Sequence, residues 1–267
     1  MNAKDQIFSI KTPNHHFAYM ETGHPKGKAI VMIHGYPGRP QDFRWLFEYL
    51  QNYRILSLAM PNLGLSTLLQ PIPCTSIKDR MQALLEFLDA MNIEQCFLVG
   101  HSMGGPIILS TGRFHADRIK GLILISSVGA FPYLVFRRSK PHWGHRLLTL
   151  PFIGRFFRPF ARIVFEKLGF PKGISEDSMA HVLHCASDFS FSENKDNIEN
   201  IKIPTLCTWS KDDPYIENHL FEDLAERLSN KTILAFDDGG HNPQRKHPQA
   251  IAKSIENWIG MIDPASS

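Results

Sequence analysis

At 267 residues the chain is long enough for one large domain, or for a core carrying a smaller insertion. Its composition, 43% apolar and 21% charged with 18 Gly and 18 Pro, excludes disordered, collagenous and disulfide-framework classes. The formal net charge of +3, from 29 Lys and Arg against 26 Asp and Glu, argues against a dedicated nucleic-acid binder.

Taken in chain order, two short alternating segments near residues 6–23, QIFSIKTPN and HHFAYMETG, predict a hairpin. Apolar runs bounded by turn residues follow: AIVMIHG (29–35), RILSLAM (54–60), CFLVGHS (96–102), IKGLILISS (119–127), PTLCTWS (204–210) and TILAFDDG (232–239). Runs of this length without alternation are expected for strands buried on both faces, as in a parallel sheet. Between them DFRWLFEYL, SIKDRMQALLEFLDAM, PIILSTGRF, NHLFEDLAERL and PQAIAKSIENWIG read as helices, most with the three- and four-residue apolar spacing of helices packed on a sheet. Strand and helix alternate, so the predicted class is α/β with a mostly parallel sheet.

The alternation breaks between about 130 and 196, where aromatics, Pro and Arg are dense. This predicts an α/β core over 1–129 and 197–267 with an inserted helical cap at 130–196. The four cysteines lie far apart without a CxxC pair and read as buried, reduced thiols. The N-terminus lacks a signal-peptide pattern, and no apolar run approaches the roughly 18 residues of a membrane span, so a cytoplasmic location is expected.

Gly100-His101-Ser102-Met103-Gly104 lies between a predicted strand and a predicted helix, the setting in which G-x-S-x-G forms a nucleophile elbow. The turn holding such a serine is strained, and side chains two residues to either side would collide with the neighbouring strand and helix. A serine hydroxyl attacks only when an imidazole takes its proton, and the imidazole needs a carboxylate to fix its tautomer. Asp213 follows the strand PTLCTW, with Asp212 its rival, and His241 follows the last predicted strand in a Gly-Gly-His loop. His247 reads as structural. Attack on a carbonyl creates an oxyanion that two backbone N–H groups must meet; the candidates are those of Met103 and of Tyr36 in His34-Gly35-Tyr36-Pro37-Gly38.

These residues together resemble the α/β-hydrolase superfamily of serine esterases and lipases over residues 25–127 and 200–260. The resemblance implies a triad of Ser102, Asp213 and His241, an oxyanion hole at Tyr36 and Met103, and a cap over the site. One departure is Ala59-Met60-Pro61-Asn62-Leu63-Gly64-Leu65-Ser66, where the family usually shows D-x-x-G-x-G-x-S. The Asp is replaced by Ala59 and the first Gly by Asn62, which tolerates a left-handed backbone better than most residues.

Residues 130–172 hold ten aromatics, able to wall an apolar tunnel, and nine Lys and Arg against one acid, Glu166. That segment is +8 and the remainder −5. Arg155, Arg158 and Arg162 there are candidates for docking an anionic lipid surface or an acidic carrier protein, beside the plainer reading of a solvated face. His181, His184 and Cys185 lack a fourth ligand, so no metal is expected, and without a P-loop or a G-x-G-x-x-G after a strand no cofactor is expected either. The expected activity is hydrolysis of a carboxylic ester with an apolar acyl group. An acyl thioester or carrier-protein ester remains an alternative substrate, and a non-catalytic small-molecule binding protein an alternative role.

Overall fold

The computed structural model describes residues 6–62, 67–68, 74–150 and 176–264, with isolated positions between 154 and 166. Among these residues nine strands form one sheet: β1 (Phe8–Lys11), β2 (His15–Gly23), β3 (Ala29–Ile33), β4 (Arg54–Leu58), β5 (Thr67–Leu68), β6 (Cys96–His101), β7 (Ile119–Ile125), β8 (Thr205–Ser210) and β9 (Lys231–Phe236). The order is β1-β2-β4-β3-β6-β7-β8-β9, with β5 paired to β2. From β4 through β9 every pairing is parallel; only β1, β2 and β5 run antiparallel to their neighbours. The predicted hairpin is β1–β2, closed by the Thr12 N–H donating to the His15 carbonyl at 2.8 Å.

Ten helices pack around the sheet: α1 (Arg44–Phe47), α2 (Ile77–Ala90), α3 (Gly104–Phe114), α4 (Leu134–Ser139), α5 (Pro141–Thr149), α6 (Glu176–Ser187), α7 (Phe191–Asn200), α8 (Asn218–Arg227), α9 (Pro243–Lys246) and α10 (Pro248–Ile262) among the described residues. The sheet is apolar on both faces, so two cores result. Ala83, Leu84 and Phe87 of α2, Ile107 and Ile108 of α3, and Leu220 and Phe221 of α8 fill one. Leu46 and Phe47 of α1 and Ile251, Ile255 and Trp258 of α10 fill the other. Each of the buried leucines, isoleucines and phenylalanines contributes about 2 kcal/mol by leaving water. The start of α2 is set by Ser76, whose Oγ accepts from the Asp79 N–H at 3.1 Å while the Asp79 carboxylate accepts from the Ser76 N–H at 3.2 Å. That reciprocal pair satisfies two orphan donors of the first turn.

Two expectations are corrected. DFRWLFEYL forms a 3₁₀ turn over Pro40–Phe43 and a single α-turn at α1 rather than one amphipathic helix. β9 is not buried on both faces: it is the last strand in the order, and Ile233 is 49% exposed. An edge position leaves its outer side to water however apolar its sequence.

α4, α5 and α6 lie between β7 and β8, with α5 packed on α6; α7 runs unbroken through residue 196 and packs on α3. All four cysteines are buried and free. Among the described residues no helix is long and apolar enough to cross a membrane.

Candidate active site

β6 delivers Ser102 into a tight turn ahead of α3. Its φ is +53°, a left-handed backbone that costs a non-glycine residue about 1 kcal/mol or more. The surroundings fix it there: the Ser102 N–H donates to the Ile125 carbonyl at 3.0 Å, and its carbonyl accepts from the N–H groups of Gly105 at 3.0 Å and Val128 at 3.2 Å. The glycines around the serine are sites of close approach. A Cβ on Gly104 would lie 2.3 Å from the Ile33 carbonyl oxygen of β3, and one on Gly35 would lie 2.9 Å from Ser102 Cβ. The loop after β3 thus rests directly against the serine.

The loops after β8 and β9 meet at the same sheet edge. His241 Nδ1–H donates to Asp213 Oδ2 at 2.7 Å, the carboxylate fixing the tautomer because it can only accept. The other Asp213 oxygen accepts from the N–H groups of Tyr215 at 2.8 Å and Ile216 at 3.1 Å, and the Asp213 side chain is wholly buried. Asp212 does different work. Its carboxylate accepts from the N–H groups of Gly240 at 2.8 Å and Gly239 at 3.3 Å, shaping the loop that carries His241. His247 stacks on Phe236 and bonds Asp238, away from Asp213.

Ser102, His241, Tyr36 and Met103 line one cavity of about 680 Å³. Val135 and Phe136 of α4 and Val182 and Leu183 of α6 also wall it. Among the described residues neither the Tyr36 nor the Met103 amide N–H has an acceptor. At the cavity edge Trp45 carries two guanidiniums, Arg44 at 4.3 Å and Arg245 at 4.9 Å from its ring centroid.

Three groups at the site escaped the sequence reading. His101 donates from Nε2 to the His241 carbonyl at 2.7 Å and holds that loop down on the elbow. His34 donates from Nδ1 to the Gly35 carbonyl at 2.8 Å and accepts at Nε2 from the Met60 N–H at 3.1 Å, tying together the loops after β3 and β4. Arg80 of α2 is completely buried, 4.6 Å from the Tyr36 ring centroid. Its guanidinium donates to His181 Nε2 and to Cys185 Sγ of α6, each at 2.9 Å. His181 and Cys185 therefore serve this arginine, while His184 stacks on His145. Asn62 takes the left-handed φ of +60° expected of it. Arg155, Arg158 and Arg162 lie outside the described residues.

Burial pushes the imidazoles of His34 and His101 down, to about 4 and about 3, so both are neutral at ordinary pH. In the unfolded chain each takes up a proton near its usual 6.5. Between pH 6.5 and about 4 the unfolded state therefore binds more protons, and stability falls as pH falls by up to about 1.4 kcal/mol per unit for each imidazole. Urea unfolding at about pH 7.5 and about pH 5 should show this loss. His101→Gln, which keeps an N–H donor and does not titrate, should flatten part of it.

A parallel sheet with a serine in a left-handed turn after β6, a carboxylate after β8 and a histidine after β9 defines a hydrolase fold. The chain belongs to the alpha/beta hydrolase family, whose sequence model matches residues 30–254. It is similar to the uncharacterized hydrolase YugF of Bacillus subtilis (strain 168), 20% identical over 270 residues that cover 94% of this chain and 96% of the relative. It is also similar to Lipase 1 of Psychrobacter immobilis, 22% identical over 256 residues, covering 90% and 78%. Among solved structures, a serine hydrolase from Cycloclasticus zankles superposes with a TM-score of 0.71 at 24% identity, covering 97% of this chain and 99% of that one.

Proposed function

We propose that the protein is a serine hydrolase that cleaves a carboxylic ester with an apolar acyl group through an acyl-enzyme. The observation that carries this is the Asp213–His241 pair at 2.7 Å, sharing one cavity with Ser102 in its strained turn. Ser102 Oγ attacks the ester carbonyl as His241 Nε2 takes its proton, and His241 returns the proton to the leaving alcohol. Asp213 holds the imidazole in the tautomer that leaves Nε2 free and stabilises the imidazolium. The Tyr36 and Met103 N–H groups meet the oxyanion, each worth about 3 kcal/mol in the transition state. Water activated by His241 then releases the acid.

The cavity wall supports an apolar acyl part, since Val135, Phe136, Val182 and Leu183 face it. Those residues come from the segment 130–196, which we read as a cap over the core formed by 1–129 and 197–267. The name of the Psychrobacter relative, Lipase 1, agrees with an ester substrate.

A fluorophosphonate probe is expected to label the wild type and to leave Ser102→Ala unlabelled. A p-nitrophenyl ester series then reports acyl preference, and a matched thioester series separates ester from thioester. Absence of labelling together with no turnover at any chain length would replace this reading with a binding protein on the same fold.

A further inference from the structure

Large apolar side chains that stand in water are concentrated in one part of this chain. Among the described residues ten large apolar side chains are more than a third exposed, and seven of them, with Trp143 (73%) and Phe156 (83%) foremost, belong to the segment between β7 and β8; Phe114, Ile233 and Met261 lie elsewhere. The helix α5 shows how this arises. Its inner face, Pro141, Gly144 and Leu148, turns toward the protein, and a Cβ on Gly144 would touch Leu183 of α6 at 3.4 Å. Its outer face, where a helix on a soluble protein ordinarily carries polar residues, presents Trp143 and Leu147 one turn apart with Arg146.

Charge accompanies the apolar groups. Residues 130–172 carry nine Lys and Arg and one acid. Arg138 and Lys140, just before α5, are exposed, and among the described residues neither has a carboxylate partner. Exposed Trp, Phe and Leu beside unpaired cations is the combination by which a monotopic surface holds an anionic bilayer. The apolar side chains enter the headgroup boundary, and the cations attract the lipid phosphates and carboxylates. Either signal alone holds weakly; the two together hold stably.

We propose that the segment between β7 and β8 docks on an anionic membrane surface, with Trp143 and Phe156 as the inserted anchors. This rests on the acyl-ester reading above and names where that substrate is met. The same segment walls the cavity with Val135, Phe136, Val182 and Leu183, so an acyl ester leaving the bilayer passes from lipid to cavity along one stretch of protein. An acidic carrier protein could use the cations, but it gives no reason for a tryptophan and a phenylalanine to stand mostly in water.

The test is flotation of the purified protein with vesicles of phosphatidylcholine alone and of phosphatidylcholine mixed with phosphatidylglycerol. The wild type should partition onto the anionic vesicles about tenfold better than onto the neutral ones, and the advantage should fall with added salt. The double variant Trp143→Ser with Phe156→Ser should lose about tenfold in partition, because both anchors are removed. Its turnover of a soluble short-chain ester should be unchanged, since neither residue lines the cavity. Equal partition of wild type and double variant, or no partition of either onto anionic vesicles, overturns the proposal. So does tight binding of an acidic acyl-carrier protein without vesicle binding. Soluble-ester turnover is read separately, so failure of the hydrolase reading is seen there and not in flotation.

Discussion

Asp213→Asn is expected to lower kcat on a soluble ester roughly ten-thousand-fold, while Asp212→Asn loses less than about tenfold. The two residues are adjacent and chemically identical, and the difference lies in what each oxygen accepts. Asp213 takes the His241 Nδ1–H on one oxygen and the Tyr215 and Ile216 N–H groups on the other. An asparagine must keep its carbonyl oxygen toward those backbone donors, which turns its NH₂ group on Nδ1. That reverses the tautomer: Nε2 then carries the hydrogen and cannot take the proton of Ser102. Asp212 accepts from the Gly240 amide on one oxygen at 2.8 Å and from the Gly239 amide on the other at 3.3 Å, and it is exposed, so an asparagine keeps the shorter bond through its oxygen and leaves the longer one to water. Steady-state kinetics on p-nitrophenyl esters, with circular dichroism to confirm folding, compare the two. A larger loss at position 212 would show that the wrong carboxylate has been paired with the base.

The second large effect is on stability. Gly104→Ala places a methyl carbon 2.3 Å from the Ile33 carbonyl oxygen, a backbone atom of a central strand that cannot swing aside. The elbow or β3 must move, costing about 3 kcal/mol, which for a chain of this size lowers Tm by roughly 10 °C. Gly112→Ala, on the same helix, is the control. There the new carbon would meet only the ends of Ile201, Ile203 and Leu122, at 3.0 to 3.2 Å. The gain in helix propensity offsets the crowding, so Tm should change by no more than about 1 kcal/mol implies. Thermal unfolding followed by circular dichroism separates the two variants. A Gly104→Ala protein as stable as the wild type would mean that the contact with β3 is not tight.

Much of this architecture was legible because a strand buried on both faces leaves an uninterrupted apolar run, and β3, β4, β6, β7 and β8 all left one. β9 left the same run and proved to be an edge, because a run records side-chain chemistry and not which neighbour is missing. Loop position, with the family resemblance, pointed to Ser102, Asp213 and His241 as candidates, but position alone could not separate Asp213 from its neighbour Asp212; that takes the His241 Nδ1–H seen on the Asp213 carboxylate. His101 could not be named, because in a G-x-S-x-G pattern it occupies a position open to any residue, and its partner is a backbone carbonyl 140 residues away. Arg80 was hidden for a related reason. On an amphipathic helix an arginine reads as a solvent-facing residue, and what covers it, His181 and Cys185, comes from the segment between β7 and β8, 101 and 105 residues further on. Its burial without a carboxylate partner among the described residues could not be read from α2.

The loop after β9 is held at three points by two chain segments: His101 at the end of β6 grips the His241 carbonyl, and in the loop after β8 Asp212 grips the amides before it and Asp213 the ring. The strand that feeds this loop is the least buried of the parallel strands, with one neighbour and an open flank. Elements with few buried contacts open at lower free energy than the core around them. The working geometry of the histidine is therefore a local equilibrium of the sheet margin. Opening at β9 is expected to draw His241 away from Asp213 while β3, β6 and β7 remain folded, so the geometry of the site can be lost from a protein whose core is intact.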